Sequence, residues 1–338
     1  MQVMKEMYVG IDISKEKLNL CYKRESMVVM EVEIKNVSSV IKKQLRKDIK
    51  TLGAEIDEVR VCAEYTGRYI YPLVCACNEL GIFLWMEDPT RIKNSLGLTR
   101  GKNDVMDARR IAEYAERYND KAVAYSRLDK DVQAIRNLLS DRDLLITQRK
   151  TLESQLHDQK GFMSGEDYKR KAAHFNRIIK TLNDQIASIE EEMRSIIKDN
   201  EEFCHQFALL MTIPGVGEKL AINMIAITNG FRRFENARQF NCYAGLAPFK
   251  YDSGKSIRSK ARVSQRANKH IKALLHLCAL NTATHMLKGE CREYYERRTA
   301  EGKHPMCILN IVRAKLVARM FSVIKRDTPY VDEYAIAS

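Results

Sequence analysis

Apolar and polar positions along this chain change period several times, and each change marks a different kind of element. Residues 6–35 hold three short β-like runs, MYVGIDI, KLNLCYK and MVVMEVEI, separated by polar breaks, and they predict three strands. A helix is expected at 38–52, a strand at 58–63 (EVRVCA), a helix at 69–80 and a strand at 82–86 (IFLWM). Asp88-Pro89 ends that strand, and a helix from Asp104 runs to about Tyr118. The middle of the chain then changes character. Phe175, Ile179, Leu182, Ile186, Ile189, Met193 and Ile196 alternate steps of four and three between polar neighbours, which is a heptad seam. Ile135, Leu138, Leu145, Leu152 and Leu156 give a looser version over 128–158, and Gly161 and Gly165 interrupt the pattern between the two. Two long helices follow, paired either as an antiparallel hairpin or against another subunit.

After Phe203, the run LLMTIPGVGEKLAINMIAITNG reads as helix, Pro-Gly-Val-Gly turn and second helix, the pattern of a helix-hairpin-helix. Its glycines, Gly215 and Gly217, would let backbone N–H groups approach a phosphate, with Lys219 beside them. The competing reading is a compact helix turn. Next, FNCYAGLAPFKYDSGKSIRSKARVSQRANKHIKALLHLCAL passes from a loop rich in Gly, Ser and basic residues into an apolar helix. The apolar run from Met306 to Ile324 is interrupted by Arg313, Lys315 and Arg319, so it reads as an amphipathic helix and not a membrane span.

Charge sharpens this picture. Among 338 residues, 57 Lys and Arg outnumber 44 Asp and Glu, a formal net charge of +13 that favours a polyanionic partner. Between Lys250 and Lys272 basic residues recur and Asp252 is the single acid, which places part of a nucleic-acid contact in the C-terminal third. Lys250, Lys255, Arg258, Lys260, Arg262, Arg266 and Lys269 are the candidates, expected to meet phosphates more than bases. The alternative is a solvated basic face. Nine cysteines lack the CxxC spacing and paired histidines of a zinc site, and read as scattered reduced thiols. No signal peptide is expected, and the chain reads as soluble and intracellular.

Against that basic background, acids in a few positions stand out. Asp12 sits where the first apolar strand ends, Glu64 where the fourth does, and Asp104 and Asp107, three residues apart, share one helix face. Gathering carboxylates resists their joint ionisation, and divalent cations are the usual reason to tolerate it. Mg²⁺ takes hard oxygen ligands, and two such ions would clamp a phosphodiester during in-line displacement. A strand-end acid is also common as a turn cap, and Asp104 equally suits a helix N-terminus. The order of three strands, helix, strand, helix, strand, helix, with acids at those places, is that of the ribonuclease H fold.

These blocks together resemble a known family. YVGIDISKEKLNL, AEYTGRY, KNDVMDARRIAEYA, IPGVGEKLA, FNCYAGLAPFKYDSGKS, RVSQRANKHIKALL and GKHPMCILNIVRAKLVARMF, in that order, resemble the DEDD transposases of bacterial insertion sequences, the IS-one-ten family guided by a bridge RNA. The resemblance covers essentially the whole chain. It implies an α/β chain with a ribonuclease H-like (resolvase-like) DEDD catalytic domain at 1–126, a coiled-coil helical hairpin at 127–200, and a mainly helical C-terminal transposase domain with helix-hairpin-helix at 201–338. It also implies that Asp12, Glu64, Asp104 and Asp107 hold two Mg²⁺ and that Ser253, in YDSGKS, is the nucleophile. Ser256, Ser259 and Ser264 lie nearby in sequence as alternatives. Donor and target DNA, a bridge RNA and a homo-oligomer, dimer or tetramer, held by the coiled coil are the implied partners, with one subunit's acids meeting another's serine. Two positions depart from the family pattern. Lys102-Asn103-Asp104 stands where Lys-Thr-Asp is usual, and Ala267-Asn268 stands where Gly-Asn is usual, so no positive φ is required there. The alternatives are a resolvase-like metal-dependent nuclease hydrolysing branched DNA with water, and a non-catalytic nucleic-acid-binding scaffold.

Overall fold

Strand pairing in the first part of the chain follows directly from where its apolar runs stop. The computed structural model describes residues 6–95, 103–125, 129–249, 267–331 and three short segments between 249 and 267. The chain divides into two compact units, Met1–Arg127 and Leu128–Ser338.

The first unit is built on a five-stranded sheet in the order β3-β2-β1-β4-β5, from β1 (Met7–Ile13), β2 (Lys17–Arg24), β3 (Met27–Lys35), β4 (Val59–Glu64) and β5 (Phe83–Glu87). β1, β2 and β3 form an antiparallel meander, while β4 and β5 lie parallel to β1 on its other side. Parallel pairing requires crossovers, and α1 (Ser38–Thr51) and α2 (Tyr71–Leu80) supply them. This order and orientation is the ribonuclease H fold. Period-two alternation sorts β1 onto two faces. Met7, Val9, Ile11 and Ile13 pack with Ile41, Leu45 and Ile49 of α1 and Leu73, Ala76 and Cys77 of α2. Tyr8, Gly10 and Asp12 look the other way, toward α4 (Asp104–Arg117), which lies over β1 and β2 with α3 (Pro89–Ser95) beside it. Gly10 is what lets α4 approach. A Cβ built there would stand 2.2 Å from the Ala112 nitrogen and 2.3 Å from the Ala108 carbonyl oxygen.

The second unit begins with α5 (Lys130–Gln159) and α6 (Gly165–Asp199), joined by a short turn in which Ser164 caps α6. They pair with each other as an antiparallel hairpin: Arg142 Nε meets Glu190 Oε1 at 2.6 Å, and Arg149 donates to Asn183 at 2.8 Å. The seam residues Ile186 and Met193 are buried, and the other five are half-buried. At the base of the hairpin, Val132, Ile135, Met193 and Ile197 enter the main core. That core is formed with α7 (Glu201–Met211), α8 (Glu218–Thr228), α9 (Ala237–Tyr243), α10 (Lys269–Leu280) and α12 (Pro305–Arg326). α11 (Glu290–Ala300) closes a smaller cluster in which Cys291 packs on Ala279, Val312 and Leu316. The hairpin and the C-terminal helices thus share one core.

Two findings differ from the sequence reading. The basic stretch before α10 is not all loop: β6 (Pro248–Phe249) pairs with β9 (Arg262–Val263), and β7 (Asp252–Ser253) with β8 (Ile257–Arg258), both antiparallel. Isolated two-residue strands carry too short a pattern to register as period two. On α12, Arg313 does not join a solvent face. It is 4% exposed, because neighbouring helices cover α12 on several sides. Among the described residues, no helix is long and apolar enough to cross a membrane.

Candidate active site

Register brings two of the four predicted acids, Asp12 and Glu64, to one end of one sheet face, and α4 carries the other two. In the parallel ladder, Gly10 lies opposite Cys62 and Ile11 opposite Ala63. Continuing the period, Asp12 and Glu64 follow as neighbours on the face that carries Gly10 and Cys62. α4 covers that face: Ala108 and Ala112 sit over Gly10, and Ile111, Tyr114 and Ala115 pack with Cys62 and Trp85. Asn119, just beyond α4, donates to Glu6, which also accepts from the Tyr8 hydroxyl, so α4 ends beside the start of β1 and its first turn lies toward Asp12. Lys17 opens β2 beside that end of β1. Its ammonium is held above the usual range mainly by a 2.8 Å hydrogen bond to Glu33, with a smaller contribution from nearby Asp104.

The first turn of α4 is set by Asn103, whose Oδ1 accepts from the Val105 N–H at 2.7 Å. Asn caps a helix at least as well as Thr, so the departure at this position preserves the local structure. Asp104 is exposed at the first helical position. Asp107, half-buried, accepts from Arg110 at 2.8 Å. Both Asp12 and Glu64 are half-buried and engaged with neighbouring groups.

The donor set suits a divalent cation in kind: carboxylate oxygens, no soft ligands, on adjacent strand ends and a facing helix turn. Side-chain positions are less gathered than backbone positions. Among the described residues, no three His, Cys, Asp or Glu side chains stand close enough together to hold a metal ion. Like charges keep apart, and Asp107 is drawn to Arg110, so a cation would have to collect the carboxylates by rotamer changes.

One acid escaped the sequence reading. Glu87 ends β5 directly opposite Glu64 in the parallel ladder and is 7% exposed. It accepts from the Tyr114 hydroxyl at 3.0 Å and from the Asp88 N–H at 2.8 Å, with Arg91 at 3.6 Å. Burial and the bond to Glu87 push the Tyr114 phenol well above its usual range, so it stays a hydrogen-bond donor at any working pH. Glu87 therefore ties α4 to the sheet edge. Its signal, an acid closing the apolar run FLWM, was the same one that exposes Glu64.

In the second unit, Ser253 lies on β7 with its backbone opposite Ile257, and Asp252 lies opposite Arg258. Arg262, on β9, is opposite Phe249. Lys250, Lys255, Lys260 and Arg266 lie outside the described residues. Lys269 is exposed at the start of α10, which Asn268 caps through the Ile271 N–H with an ordinary φ of −68°. At the Pro-Gly-Val-Gly turn, Gly215 has φ +84°, and a Cβ there would meet Thr282 Oγ1 at 2.0 Å. The smallness of Gly215 thus has a packing cause within the chain. Gly217 caps α8, its N–H directed at the Cys278 sulfur, and Glu218 in the first turn pairs with Arg194. Lys219 is exposed, 3.4 Å from Glu190.

Comparison with known proteins agrees across both units. Residues 207–296 match the family described as "Transposase IS116/IS110/IS902 family", and residues 9–159 match the model of the DEDD transposases of IS110 type, described as "Transposase". The pilin gene-inverting protein of Moraxella lacunata is 23% identical over 337 residues, covering 97% of this chain and 98% of that protein. The transposase for insertion sequence element IS1111A of Coxiella burnetii is 26% identical over 296 residues, covering 70% of this chain and 79% of that protein. Among solved structures, RuvC of T. thermophilus in complex with a Holliday junction substrate matches 35% of this chain and 98% of its own, with 14% identity and a TM-score of 0.27. With one match running from the sheet unit through α5 and the other over the helices that follow the hairpin, the chain belongs to the IS110, or IS-one-ten, family of DEDD transposases.

Proposed function

We propose that this transposase cuts and exchanges the DNA strands of its own insertion sequence through a covalent serine–DNA intermediate, with donor and target chosen by a bridge RNA. The observation that carries the reading is the register that puts Asp12 and Glu64 side by side under the first turn of α4, where Asp104 and Asp107 lie. These four carboxylates would hold Mg²⁺, two ions per site, which when bound would polarise the scissile phosphate. The Ser253 hydroxyl oxygen attacks phosphorus, one phosphorus–oxygen bond to deoxyribose breaks, and the departing oxygen takes up a proton as a free hydroxyl. Attack by a strand hydroxyl on the serine ester reverses these steps and releases the serine. Because the phosphodiester is conserved throughout, exchange needs no nucleotide cofactor.

Arg258, Arg262, Lys269 and Lys219, with Lys250, Lys255, Lys260 and Arg266, would contact phosphates. Base pairing to the RNA would then choose the target, and the protein would read backbone shape and charge. The acids and Ser253 belong to different units of the chain, so a homo-oligomer has the option of joining the acids of one subunit to the serine of another. A second reading, exchange between two inverted sites that flips the segment between them, is favoured by the nearly full-length likeness to the pilin gene-inverting protein. The chemistry is the same in both.

The test is a denaturing gel of end-labelled DNA with mass spectrometry of any protein–DNA adduct. Wild type should give a Mg²⁺-dependent adduct at Ser253, and Ser253→Ala should give none and no strand exchange. An adduct at Ser256, Ser259 or Ser264 would reassign the nucleophile. Free cleaved ends without any adduct would establish the hydrolase reading instead.

A further inference from the structure

Cations normally enter a protein interior with an anion. The second unit breaks that rule at one place. Arg313 on α12 is 4% exposed, and its NH2 lies 2.6 Å from Nδ1 of His276 on α10. One turn earlier on α10, Lys272 reaches the Gly245 carbonyl oxygen at 3.0 Å. Asn310, one turn before Arg313, donates to the Leu246 carbonyl oxygen at 2.8 Å and lies 3.4 Å from Arg313 NH1. Among the described residues, Lys272, His276 and Arg313 meet only neutral groups, and the buried Nε of Arg313 has no hydrogen-bond partner. Burial, and then the neighbouring Arg313 charge, lower the Lys272 ammonium and the His276 imidazole from their usual ranges. Since a guanidinium can only donate, His276 Nδ1 must accept and its Nε2 must carry the proton. His276 is therefore a neutral donor and not a general base.

A buried guanidinium without an anion is costly, and a half-buried ammonium close by adds repulsion. The groups sit beneath Gly245 and Leu246, the residues that lead into β6 and on to the Ser253 strand. We propose that Lys272, His276 and Arg313 form a built anion site that takes a backbone phosphate of the DNA strand next to the serine segment. The site supplies an ammonium, a guanidinium edge and an imidazole N–H, all donors and none an acceptor, which is the complement of a phosphodiester. It rests on the strand-exchange reading above but adds residues that reading did not contain. Its role is positioning: it would hold a phosphate that is not cleaved and thereby fix the strand against the serine.

The experiment measures binding of a fluorescent duplex oligonucleotide by the full chain in the Ser253→Ala background, so that no cleavage intervenes. Anisotropy is followed across a salt series, with thermal unfolding of the free protein measured in parallel. Lys272→Gln should weaken binding and flatten the slope of log K against log[salt] by about one unit. The free protein should melt at the same or a higher temperature, because repulsion is relieved. A structural lysine that only ties down Gly245 would do the opposite, leaving the slope unchanged and lowering the melting temperature, and that result would overturn the site. Asp252→Asn separates the other source of an anion, the chain's own carboxylate. Tighter DNA binding with a lower melting temperature in that variant would mean that Asp252 fills the cluster, and the proposal would fall. Arg313→Lys, which keeps charge in a buried position, covers the case in which Arg313→Gln does not fold, and should retain weakened binding. Adduct formation by the Ser253-containing protein is scored independently, so loss of this site leaves the strand-exchange reading testable on its own.

Discussion

Gly10→Ala is a one-methyl change that should disable the catalytic unit without unfolding it. Its added Cβ would lie 2.2 Å from the Ala112 nitrogen, 2.3 Å from the Ala108 oxygen and 2.7 Å from the Ala112 Cα. Ordinary contact begins at about 3.4 Å, so α4 must retreat by roughly 1 Å or more from β1. Overpacking of this kind costs about 1–3 kcal/mol. For a unit of this size that lowers the melting temperature by several degrees. The larger effect is functional. Asp104 and Asp107 ride on α4, whereas Asp12 belongs to β1, so the retreat opens the distance between the two halves of the acid set. A displacement of about 1 Å at a reacting centre can cost on the order of a hundredfold in rate. The assay is single-turnover adduct formation on labelled DNA, with calorimetry for stability. The clash is with backbone atoms of α4, so Ala112→Gly, which removes only a side chain, should not rescue it. Wild-type rate in Gly10→Ala, or full rescue by Ala112→Gly, would refute the close-packing account of how α4 is placed.

Other perturbations separate the remaining claims. Asp12→Asn, Glu64→Gln, Asp104→Asn and Asp107→Asn should each abolish Mg²⁺-dependent cleavage, as chelation should in wild type, while DNA binding persists and the melting temperature holds or rises; activity retained in any two would remove the two-ion reading. Ile186→Asp places a carboxylate at a seam position only 7% exposed, and should cost on the order of 3–5 kcal/mol, seen as an earlier melting transition of the helical unit with the sheet unit unaffected. Glu290 is held below the usual carboxylate range chiefly by its hydrogen bond from Lys315 at 2.6 Å, aided by Arg319. Its contribution to stability is therefore present above the unfolded value of about 4.3 and lost as pH falls through the lower folded value, so Glu290→Gln should flatten the acid limb of melting temperature against pH.

The sheet unit was legible because each of its strands ends where an apolar run meets an acid or a turn. MYVGIDI became Met7–Ile13, EVRVCA at 58–63 became Val59–Glu64, one residue later, and the helix expected from Asp104 starts there. Register did the rest: a parallel pair with Gly10 opposite Cys62 leaves no other place for Asp12 and Glu64. Glu87 was missed because an acid before Asp88-Pro89 reads as part of a turn, and only the β4–β5 pairing reveals that it faces Glu64. The heptad seam announced that α6 pairs but not with what, since the same spacing serves a hairpin and a dimer. The fold chooses α5, through pairs such as Arg142–Glu190 that no hydrophobic pattern encodes. Gly215 looked like a phosphate-binding glycine and is packed on Thr282, a residue distant in sequence. Arg313 looked like the polar face of an amphipathic helix. A single charge on a helix covered from several sides carries no information about which face is wet.

Both units carry a concentration of like charge that the fold alone would not favour. In the sheet unit it is negative, Asp12 and Glu64 on adjacent strand ends with Asp104 and Asp107 on the first turn of α4; in the helical unit it is positive, Lys272 and buried Arg313 beside a neutral imidazole. Each arrangement stores repulsion in the free protein, and each would be relieved by a ligand of opposite sign, a divalent cation in one case and a phosphodiester in the other. Such sites are destabilised by design of their chemistry, so ligand binding should show as added stability, growing as RT ln(1 + [L]/Kd). The two effects carry different signatures. Mg²⁺ should raise the transition of the sheet unit and leave the helical unit where it was, whereas a non-cleavable oligonucleotide should raise the helical unit in a salt-dependent way. Stabilisation of the sheet unit by Mg²⁺ that survives neutralisation of Asp12 or Glu64 would place the cation elsewhere, and the repulsion account of that face would then fail.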